Sequence, residues 1–490
     1  MMAIRFYNTM SRSLEEFKPI REGKVGLYTC GPTVHDFAHI GNFRTYVFED
    51  ILRRYLEYKG FKVKHVMNIT DVEDKTIRKA REGHKALHEI TDPFIEAFFA
   101  DLDKLNIERA SVYPRATQHI EDMVKMIRKL LELGIAYKSE DGSIYYNIAK
   151  FPGYGRLAHI KVADMRSGAR VAQDEYEKDT ASDFALWKAW DENDGDVYWD
   201  QYEDLGKGRP GWHIECSAMS TKYLGNHFDL HTGGVDNIFP HHQNEIAQTE
   251  ACTGETFVNY WMHSEHLQVE GEKMSKSKGN FYTLRSLLDK NQNSSGKAWS
   301  AMAVRYLLVS THYRTRMDFS FKGLEVATDT LRGIVEFLRE CANSKSDKLN
   351  LQMATKLTVS LERAKSDFER AMDDDLNTPV ALAALFTLRR EVKKLIAEYG
   401  DLGPVGGKLV VDFFAGCDKV LGLRLLESMK AKEEAEAEDA LTPEEQALLD
   451  ARQQARKEKD FAKADQMRAE LLARGIAIMD SPKGVTWKRV

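Results

Sequence analysis

The sequence predicts an α/β protein: a doubly wound parallel-sheet domain of the Rossmann type with an inserted domain, followed by an all-α helical bundle and a small α+β C-terminal module. Three observations support this architecture. Apolar strand-like runs alternate with single helical segments before residue 70. Apolar residues recur at helical spacing from Leu324 to Leu423. Helix caps and a hairpin pattern then follow Thr442. Strands joined by single helices form parallel sheets.

Length and composition indicate a folded, water-soluble chain of three or more modules. The 490 residues are 43% hydrophobic and 30% charged, with a net charge of −6 that neither favours nor excludes a nucleic-acid partner. We find no signal peptide and no run near the ~20 apolar residues that span a bilayer. The cysteines are odd in number and scattered, which predicts a reducing, cytoplasmic location rather than a disulfide framework. They are Cys30, Cys216, Cys252, Cys341 and Cys417.

The first half of the sheet is predicted in residues 1–116. Lys24 to Cys30 reads as a buried strand, Phe43 to Tyr58 as an amphipathic helix that Gly60 ends, and Phe61 to Thr70 as a second strand. Ligands of doubly wound sheets bind at the carboxyl ends of the strands. Cys30 and Thr70 occupy such ends, so this edge is the predicted substrate site.

A segment of different character, residues 117–210, is predicted to be an insertion between two halves of the sheet. It contains Gly, Asp and Tyr clusters and an acidic run from Trp187 to Trp199. The second half, 211–265, holds a strand at His227–His231, a turn at Gly233–Asp236 and a helix that carries His241 and Glu245. Residues 266–323 contain a lysine- and serine-rich loop.

The remaining chain is predicted to be mostly helical. The bundle occupies 324–426, with a helix start at Asn377-Thr378-Pro379, and residues 427–441 form a charged linker or solvated helix. The last module, 442–490, has a capping box at Thr442–Glu445 and a helix from Asp460 to Gly475. Its hairpin pairs Ile476–Met479 with Val485–Lys488 around Ser481–Gly484.

Four residues have the chemistry of zinc ligands. Zinc takes thiolate, imidazole and carboxylate donors, and here the candidates are Cys30, Cys216, His241 and Glu245. A lone cysteine at a strand end is more often a core residue, and a His/Glu pair at i, i+4 is more often on the surface. The four therefore predict a metal site only together, through the sheet edges that the fold assigns them.

Two signatures indicate phosphate handling. His39-Ile40-Gly41-Asn42 stands where the chain enters a helix, whose free N–H groups attract phosphate, although a plain capped helix start would look similar. Lys273-Met274-Ser275-Lys276-Ser277-Lys278-Gly279-Asn280 is more specific. Such a cationic loop can stabilise a pyrophosphate leaving group, while the alternative is a basic surface loop.

Together these motifs resemble those of class I aminoacyl-tRNA synthetases, and specifically of cysteinyl-tRNA synthetases, over essentially the whole chain. The resemblance includes the string Tyr28–Val34, the His39 tetrapeptide and Asn68–Asp71. It continues through these further strings: Arg209–Cys216, Gly225–His231, Phe239–His242, the lysine loop and Asp373–Pro379.

The resemblance implies a two-step ligation of L-cysteine to tRNA(Cys) through a cysteinyl-adenylate. It implies one Zn²⁺ per subunit on the four ligands, where the metal takes the substrate's thiolate and so separates cysteine from serine without an editing domain. Mg²⁺ accompanies ATP, and the expected state is a monomer with no membrane association. The implied catalytic residues are His39, Asn42, Lys273 and Lys276. The implied substrate and ATP contacts are Thr33, His39, Gly41, Asn42, Thr70, Trp212, His231, Asp236 and Lys276.

One position departs from the usual pattern. The signature commonly ends in His, whereas Asn42 ends it here; asparagine still donates to a phosphate oxygen but carries no charge at any pH. The resemblance also assigns residues 266–323 to stem contacts, 324–426 to tRNA binding and 442–490 to anticodon reading. The implied base contacts are Arg456, Asp465, Asp480 and Trp487, although a solvated helical hairpin with one packed tryptophan is a competing interpretation.

Two other functions remain open at this point. A paralogous ligase would form the same adenylate and transfer cysteine to an amino sugar, but the intact module after Thr442 argues against it. A non-catalytic RNA-binding paralog is disfavoured by the complete lysine loop and ligand set.

Overall fold

The computed structural model describes residues 3–160, 170–171, 183–346, 350–439, 441–481 and 484–489. The chain divides into two compact units, whereas its length and composition predict three or more modules. The first ends at Arg424 and the second begins at Leu425. Pro482 and Lys483, in the predicted hairpin turn, lie outside the described residues.

The first unit contains the larger part of the secondary structure. In chain order its elements are β1 (Arg5–Asn8), β2 (Ser13–Glu16), β3 (Lys24–Thr29), α1 (Ile40–Tyr58), β4 (Lys62–Met67), α2 (Asp74–Gly83), α3 (Leu87–Lys104), α4 (Ile120–Glu132), β5 (Ala136–Lys138), β6 (Ile144–Tyr146), β7 (Arg170–Val171), β8 (Asp183–Ala189), β9 (Gly208–Pro210), α5 (Trp212–Leu224), β10 (Phe228–Gly234), α6 (Gln243–Thr253), β11 (Val258–Ser264), β12 (Leu267–Val269), β13 (Glu272–Lys273), α7 (Leu284–Leu288), α8 (Ala301–Val309), β14 (Met317–Phe319), α9 (Phe321–Ala342), α10 (Leu351–Asp373), α11 (Thr378–Tyr399) and α12 (Gly403–Leu421).

A parallel sheet of four strands, in the order β11-β10-β3-β4, is the centre of the first unit. Leu27 of β3 lies opposite Leu230 of β10 and His65 of β4. Most residues of these strands are buried, and helices α1 and α5 pack against the sheet, as is usual for parallel sheets. All four strands end at the same edge, which confirms the predicted doubly wound arrangement.

A second, mostly antiparallel sheet lies in the chain between β4 and β10. Its order is β5-β6-β8-β7, and β9 pairs with β8. Trp187 of β8 is fully buried in a core that also contains Ile127 of α4 and Met219 of α5. This second sheet therefore packs through shared apolar contacts against α5, the helix that connects it to the central sheet.

The helical bundle from α9 to α12 is joined to the rest of the first unit by three consecutive aspartates. Asp373 accepts a hydrogen bond of 2.6 Å from the Tyr55 hydroxyl of α1. Asp375 accepts from the backbone N–H of Tyr7 at 2.8 Å and from the Tyr313 hydroxyl at 2.6 Å. Because these partners belong to β1, α1 and the loop before β14, the motif fixes the start of α11 against the sheet domain.

The second unit is a helical hairpin followed by a strand hairpin. Thr442 and Glu445 form the predicted capping box, and Asp460 caps the next helix as predicted. Leu449, Leu471, Ile476 and Ile478 form its small core. Its elements are α13 (Leu425–Asp439), α14 (Pro443–Lys457), α15 (Phe461–Ala473), β15 (Ile476–Ser481) and β16 (Gly484–Arg489).

Several predicted boundaries are corrected. Helix α1 begins at Ile40 rather than Phe43, because His39 caps it. Strand β4 is shorter than the predicted 61–70. Gly233 and Gly234 belong to β10 and not to a turn, since both pair with β11. In the described part of the chain, no helix is long and apolar enough to cross a membrane.

Candidate active site and metal centre

A cleft of about 730 Å³ opens beside the carboxyl ends of β3, β10 and β11. Eight of the predicted site residues line it: Cys30, Thr33, His39, Gly41, Asn42, Asp236, Lys273 and Lys276. Thr70 and His231 are buried rather than exposed to the cleft. The strand edge thus brings most of the sequence-predicted residues to one opening.

At one end of the cleft, four side chains converge. The ligand atoms of Cys30, Cys216, His241 and Glu245 all lie within 4.8 Å of one another. Cys30 directly follows β3, Cys216 lies in α5, and Glu245 lies in the first turn of α6. Three separate segments of chain therefore form the cluster, as a site in a cleft requires.

His241 is not on the regular helix that the sequence predicts. It lies in an irregular turn, Ile238–His242, in which Phe239 has extended backbone angles. Pro240 has no N–H to donate to a helical ladder, and α6 begins only at Gln243. The turn nevertheless places His241 Nε2 3.1 Å from Glu245 Oε1.

The four residues fit a zinc ion. His241 Nε2 and Glu245 Oε1 are buried and have no hydrogen-bond partner. The other ring nitrogen of His241, Nδ1, lies 2.9 Å from His213 Nδ1, which would fix the tautomer that leaves Nε2 for a metal. Zinc binds at about 2.0–2.3 Å from N, O and S atoms. Donors gathered this closely, with orphaned atoms facing each other, match that geometry.

A second set of donors overlaps the first: Cys30, His231, His242 and Glu245. Here the imidazoles are already engaged. His231 Nε2 lies 2.9 Å from Glu245 Oε2, and His242 Nε2 lies 3.2 Å from Cys30 Sγ. Because these two histidines contact Glu245 and Cys30, which the first set also uses, they would orient those residues if the first set held the ion.

Sequence reasoning named His231 but missed two further histidines of this outer layer, His242 and His263. The Nδ1 atom of His242 lies 2.8 Å from His263 Nε2, and His263 Nδ1 lies 2.7 Å from Thr9 Oγ1. The only signal was the doublet His241-His242 and a histidine near the predicted sheet edge. Neither signal predicts that His242 contacts His263, because that contact depends on β11 lying beside β10.

Burial makes this cluster neutral when no cation is present. Burial lowers the pKa of His231 and His242 well below the usual range of an imidazole. It raises the pKa of the Glu245 carboxyl to about 8 and raises the pKa of the Cys30 and Cys216 thiols. A bound cation would lower the pKa of the Glu245 carboxyl and of both thiols, since metal coordination deprotonates thiols and carboxyls, and it would keep the histidines neutral.

The predicted amino-acid contacts surround the cluster. Trp212 stacks on the His241 ring at 4.2 Å between centroids. Thr70 donates a hydrogen bond of 3.0 Å to Glu215. His231 stacks on Trp261 at 4.7 Å. Asp236, half-exposed in the cleft, lies 3.3 Å from His266 Nδ1. An aromatic ring, Trp212, thus lies against the cluster, and a carboxylate, Asp236, lines the cleft next to it.

The His39 signature forms the start of α1. His39 Nδ1 accepts a hydrogen bond from the backbone N–H of Asn42 at 3.2 Å, and Asn42 Oδ1 accepts from the backbone N–H of His39 at 3.0 Å. Burial lowers the pKa of His39 to about 4, so the ring is neutral near pH 7. With Nδ1 as acceptor, Nε2 carries the proton. The Asn42 amide keeps its N–H₂ group as a donor.

The lysine loop is anchored to the same helix start. The backbone N–H of Ile40 donates to the Tyr282 carbonyl at 3.0 Å. A Cβ atom on Gly41 would lie 2.9 Å from the His39 ring and 3.3 Å from Met274. The Lys276 ammonium donates to the Asp36 carboxylate, across the cleft mouth. The two phosphate signatures therefore meet at Gly41.

The four predicted base contacts lie in the second unit. Asp480 is paired with Arg452 at 2.7 Å and with Arg456 at 2.5 Å. Trp487 packs, partly buried, against the small core of this unit. Asp465 is exposed on α15. Two of the four, Arg456 and Asp480, are thus joined to each other.

Three family models match the chain. The class I (C) tRNA synthetase catalytic domain covers residues 16–329. The DALR domain covers 367–425, and the cysteinyl-tRNA ligase anticodon binding domain covers 429–487.

Full-length relatives and solved structures agree with these matches. A cysteine–tRNA ligase of Brachyspira hyodysenteriae is 48% identical, with all of both chains covered. That of Protochlamydia amoebophila is 45% identical over 99% of this chain and 98% of its own. Methionyl-tRNA synthetase of Mycobacterium tuberculosis, solved in complex with methionyl-adenylate, shares the fold at a TM-score of 0.59 and 14% identity, over 82% of this chain and 91% of that chain. The chain therefore belongs to the cysteine–tRNA ligases, a family of class I aminoacyl-tRNA synthetases that charge tRNA with cysteine.

Proposed function

We propose that the protein joins L-cysteine to tRNA(Cys) in two steps within the cleft. The cysteine carboxylate attacks the α-phosphorus of ATP, an O–P bond forms, and pyrophosphate leaves. A hydroxyl of the terminal tRNA ribose then attacks the activated carbonyl, and AMP leaves. The observation that carries the proposal is the convergence of a thiol-selective donor cluster and two phosphate signatures on one cleft.

Cysteine selection rests on Cys30, Cys216, His241 and Glu245, which would hold one zinc ion per subunit. The ion supplies a Lewis acid that prefers thiolate sulfur to a neutral hydroxyl. An apolar pocket separates near-isosteres by only ~1–3 kcal/mol, whereas ten-thousandfold fidelity needs about 5.5 kcal/mol. The buried cluster therefore accounts for discrimination against serine without a second, editing site.

The side chains around the cluster position the rest of the amino acid. Asp236 faces the cleft as a carboxylate for the ammonium group. Trp212 closes the aromatic side, where its ring already stacks on His241. Thr70 and His231 act from beneath, through Glu215 and Glu245, and Thr33 lines the cleft beside Cys30. Together these residues leave the carboxylate of the cysteine substrate directed towards the nucleotide.

The helix start and the lysine loop stabilise the charge that develops on the phosphates. His39 donates from Nε2, Asn42 from its amide, and Gly41 lets the backbone approach. Lys273 and Lys276 line the cleft and neutralise the leaving pyrophosphate. Mg²⁺ accompanies ATP. The work of these residues is positioning and charge stabilisation rather than covalent chemistry.

The helical bundle and the second unit are proposed to bind tRNA. The match of residues 429–487 to an anticodon binding domain supports this assignment, with Arg456, Asp465, Asp480 and Trp487 near the bases. The protein is proposed to act as a monomer. A reducing compartment suits a chain whose five cysteines are all unpaired in the structure.

Two assays on the purified protein test the proposal. We expect cysteine-dependent exchange of pyrophosphate into ATP, and transfer of cysteine to tRNA(Cys). Absence of exchange would refute adenylate formation. Exchange without charging would refute tRNA as the acceptor and would favour an amino-sugar acceptor.

A further inference from the structure

Helix α11 presents a cationic stripe, formed by Arg389, Arg390, Lys393 and Lys394. These residues recur at helical spacing, so they share one face of the helix. With Phe386 and Ala397 they line a groove of about 480 Å³. Four positive charges within six residues contrast with the net charge of −6 for the whole chain.

The acidic residues of α11 near the stripe are already neutralised by α10. Glu391 is paired with Arg363 of α10, and Glu398 lies 3.2 Å from Lys356 of α10. The carboxylates nearest the stripe are therefore paired with α10 and are not available to the stripe's cations.

The cations of the stripe have no carboxylate partner among the residues that the structure describes. Arg390, Lys393 and Lys394 are exposed. Arg389 is half-buried, with its guanidinium 5.9 Å from the centre of the Phe337 ring of α9. Three exposed cations elsewhere in the bundle, Arg332, Arg370 and Lys408, each pair with an aspartate of their own helix. A row of unpaired cations creates a local positive field that a polyanion would neutralise.

We propose that the cationic stripe binds the phosphate backbone of the tRNA during charging. This inference rests on the proposed function, because the occupant is its tRNA substrate. Lysine and arginine contacts to phosphates fix the register of a nucleic acid without reading its bases. Such contacts release counterions, so the binding they supply weakens as salt rises. The stripe thus contributes affinity and register, while selection of cysteine stays in the cleft.

The test replaces the three exposed cations with glutamine, in the full-length variant R390Q/K393Q/K394Q. The matched control R332Q/R370Q/K408Q removes three cations from the same bundle, each of which pairs within its own helix. We expect the stripe variant to raise KM for tRNA(Cys) about tenfold or more. We expect its slope of log Kd against log salt to fall by about one for each phosphate that the stripe no longer neutralises. Pyrophosphate exchange and thermal stability should match wild type in both variants.

An unchanged salt slope and tRNA KM in the stripe variant, with a wild type that charges tRNA, would overturn the inference and leave the proposed function intact. Equal changes in tRNA KM and salt slope in the control variant would also overturn the inference. The changes would then depend on net charge and not on the position of the stripe. A wild type that fails to charge tRNA would instead refute the proposed function on which the inference rests.

Discussion

Gly41 is the residue at which the two phosphate signatures touch. An added methyl group would meet the His39 ring at 2.9 Å and approach Met274 of the lysine loop. Since Gly41 is in the first turn of α1, alanine would otherwise favour the helix by about 0.5–1 kcal/mol. Displacing the His39 ring would also break its capping hydrogen bond, so activity should respond at this position more strongly than stability.

We expect Gly41→Ala to reduce the rate of pyrophosphate exchange about tenfold or more, because the His39 ring must turn away from the cleft. The midpoint of thermal unfolding should change little, because the gain in helix propensity offsets the loss of the hydrogen bond by which His39 caps α1. Exchange kinetics and a thermal melt check this. Equal exchange rates for the variant and wild type would contradict a close approach between Gly41 and the His39 ring.

Asp36 forms an ion pair with Lys276, and both residues line the cleft. This ion pair is partly exposed, and such pairs contribute about 0.2–1 kcal/mol. The ammonium must leave Asp36 to meet a phosphate, so Asp36→Asn should lower Kd for ATP by about 1.4- to 5-fold. Equilibrium ATP binding measures this. Glu272→Gln is the matched control, because Glu272 pairs with Lys278 of the same loop, which does not line the cleft; weaker ATP binding in D36N would disprove the idea.

Cys216 tests the metal site. Cys216→Ala removes one of four donors, so zinc content per chain should fall well below one. Its preference for cysteine over serine in exchange should also fall by a factor of ten or more, as a metal–sulfur selection requires. Cys252→Ala is the control, because Cys252 lies outside the cluster and its thiol donates to Met126. Wild-type selectivity in C216A would be incompatible with zinc recognition.

At the scale of elements, Arg305 of α8 connects the sheet domain to the end of the helical bundle. Its fully buried guanidinium bonds Asp50 of α1 at 2.5 Å and donates to the Leu421 carbonyl at the end of α12 at 2.8 Å. Burial lowers the pKa of Arg305, while Asp50 opposes that effect. One side chain thus neutralises a buried carboxylate and caps a helix C-terminus.

Breaking this contact should be costly. Arg305→Leu leaves the buried Asp50 with Arg54 as its remaining ion-pair partner and the backbone N–H of Glu108 as a further donor. Loss of one member of a buried pair destabilises by about 3–5 kcal/mol. Denaturant unfolding of the full chain measures this. In contrast, Arg332→Leu removes an exposed pair with Asp329 and should change stability by less than about 1 kcal/mol. Comparable losses of unfolding free energy in the two variants would show that burial does not determine how much an ion pair contributes to stability.

At the scale of the whole molecule, buried neutral histidines make stability depend on pH. Burial lowers the pKa of His65 and of His263 to about 3, against an ordinary value near 6.5. Between those values the unfolded chain binds protons that the folded protein does not. Stability is therefore complete above pH 6.5 and is lost as the pH falls below it.

We expect the free energy of unfolding to fall from pH 7 to pH 5, by up to ~1.4 kcal/mol per pH unit for each such histidine. His65→Gln should make the slope shallower by that amount, while His88→Gln, at an exposed histidine of α3, should keep the wild-type slope. Denaturant unfolding at pH 5, 6 and 7 checks this. Parallel slopes for H65Q and wild type would contradict a neutral, buried His65.

The sequence predicts the parallel sheet, the helical bundle and the caps of the second unit, because local patterns and strand-end chemistry determine them. It does not predict which side chains meet across long separations. Asp36 and Lys276 are 240 positions apart, and the contact between His242 and His263 requires β11 to lie beside β10. The turn that carries His241 was predicted as regular helix, because residue spacing alone does not reveal the extended backbone before Pro240.

The reciprocal bonds between His39 and Asn42 have a consequence for catalysis. The imidazole cannot rotate without breaking the hydrogen bond from Asn42 N–H that begins α1. The rotational entropy of this proton donor is therefore lost when the chain folds rather than when substrate arrives. If His39 donates to the phosphates as proposed, each turnover begins with this donor already oriented, and binding energy from ATP is not spent on immobilising it.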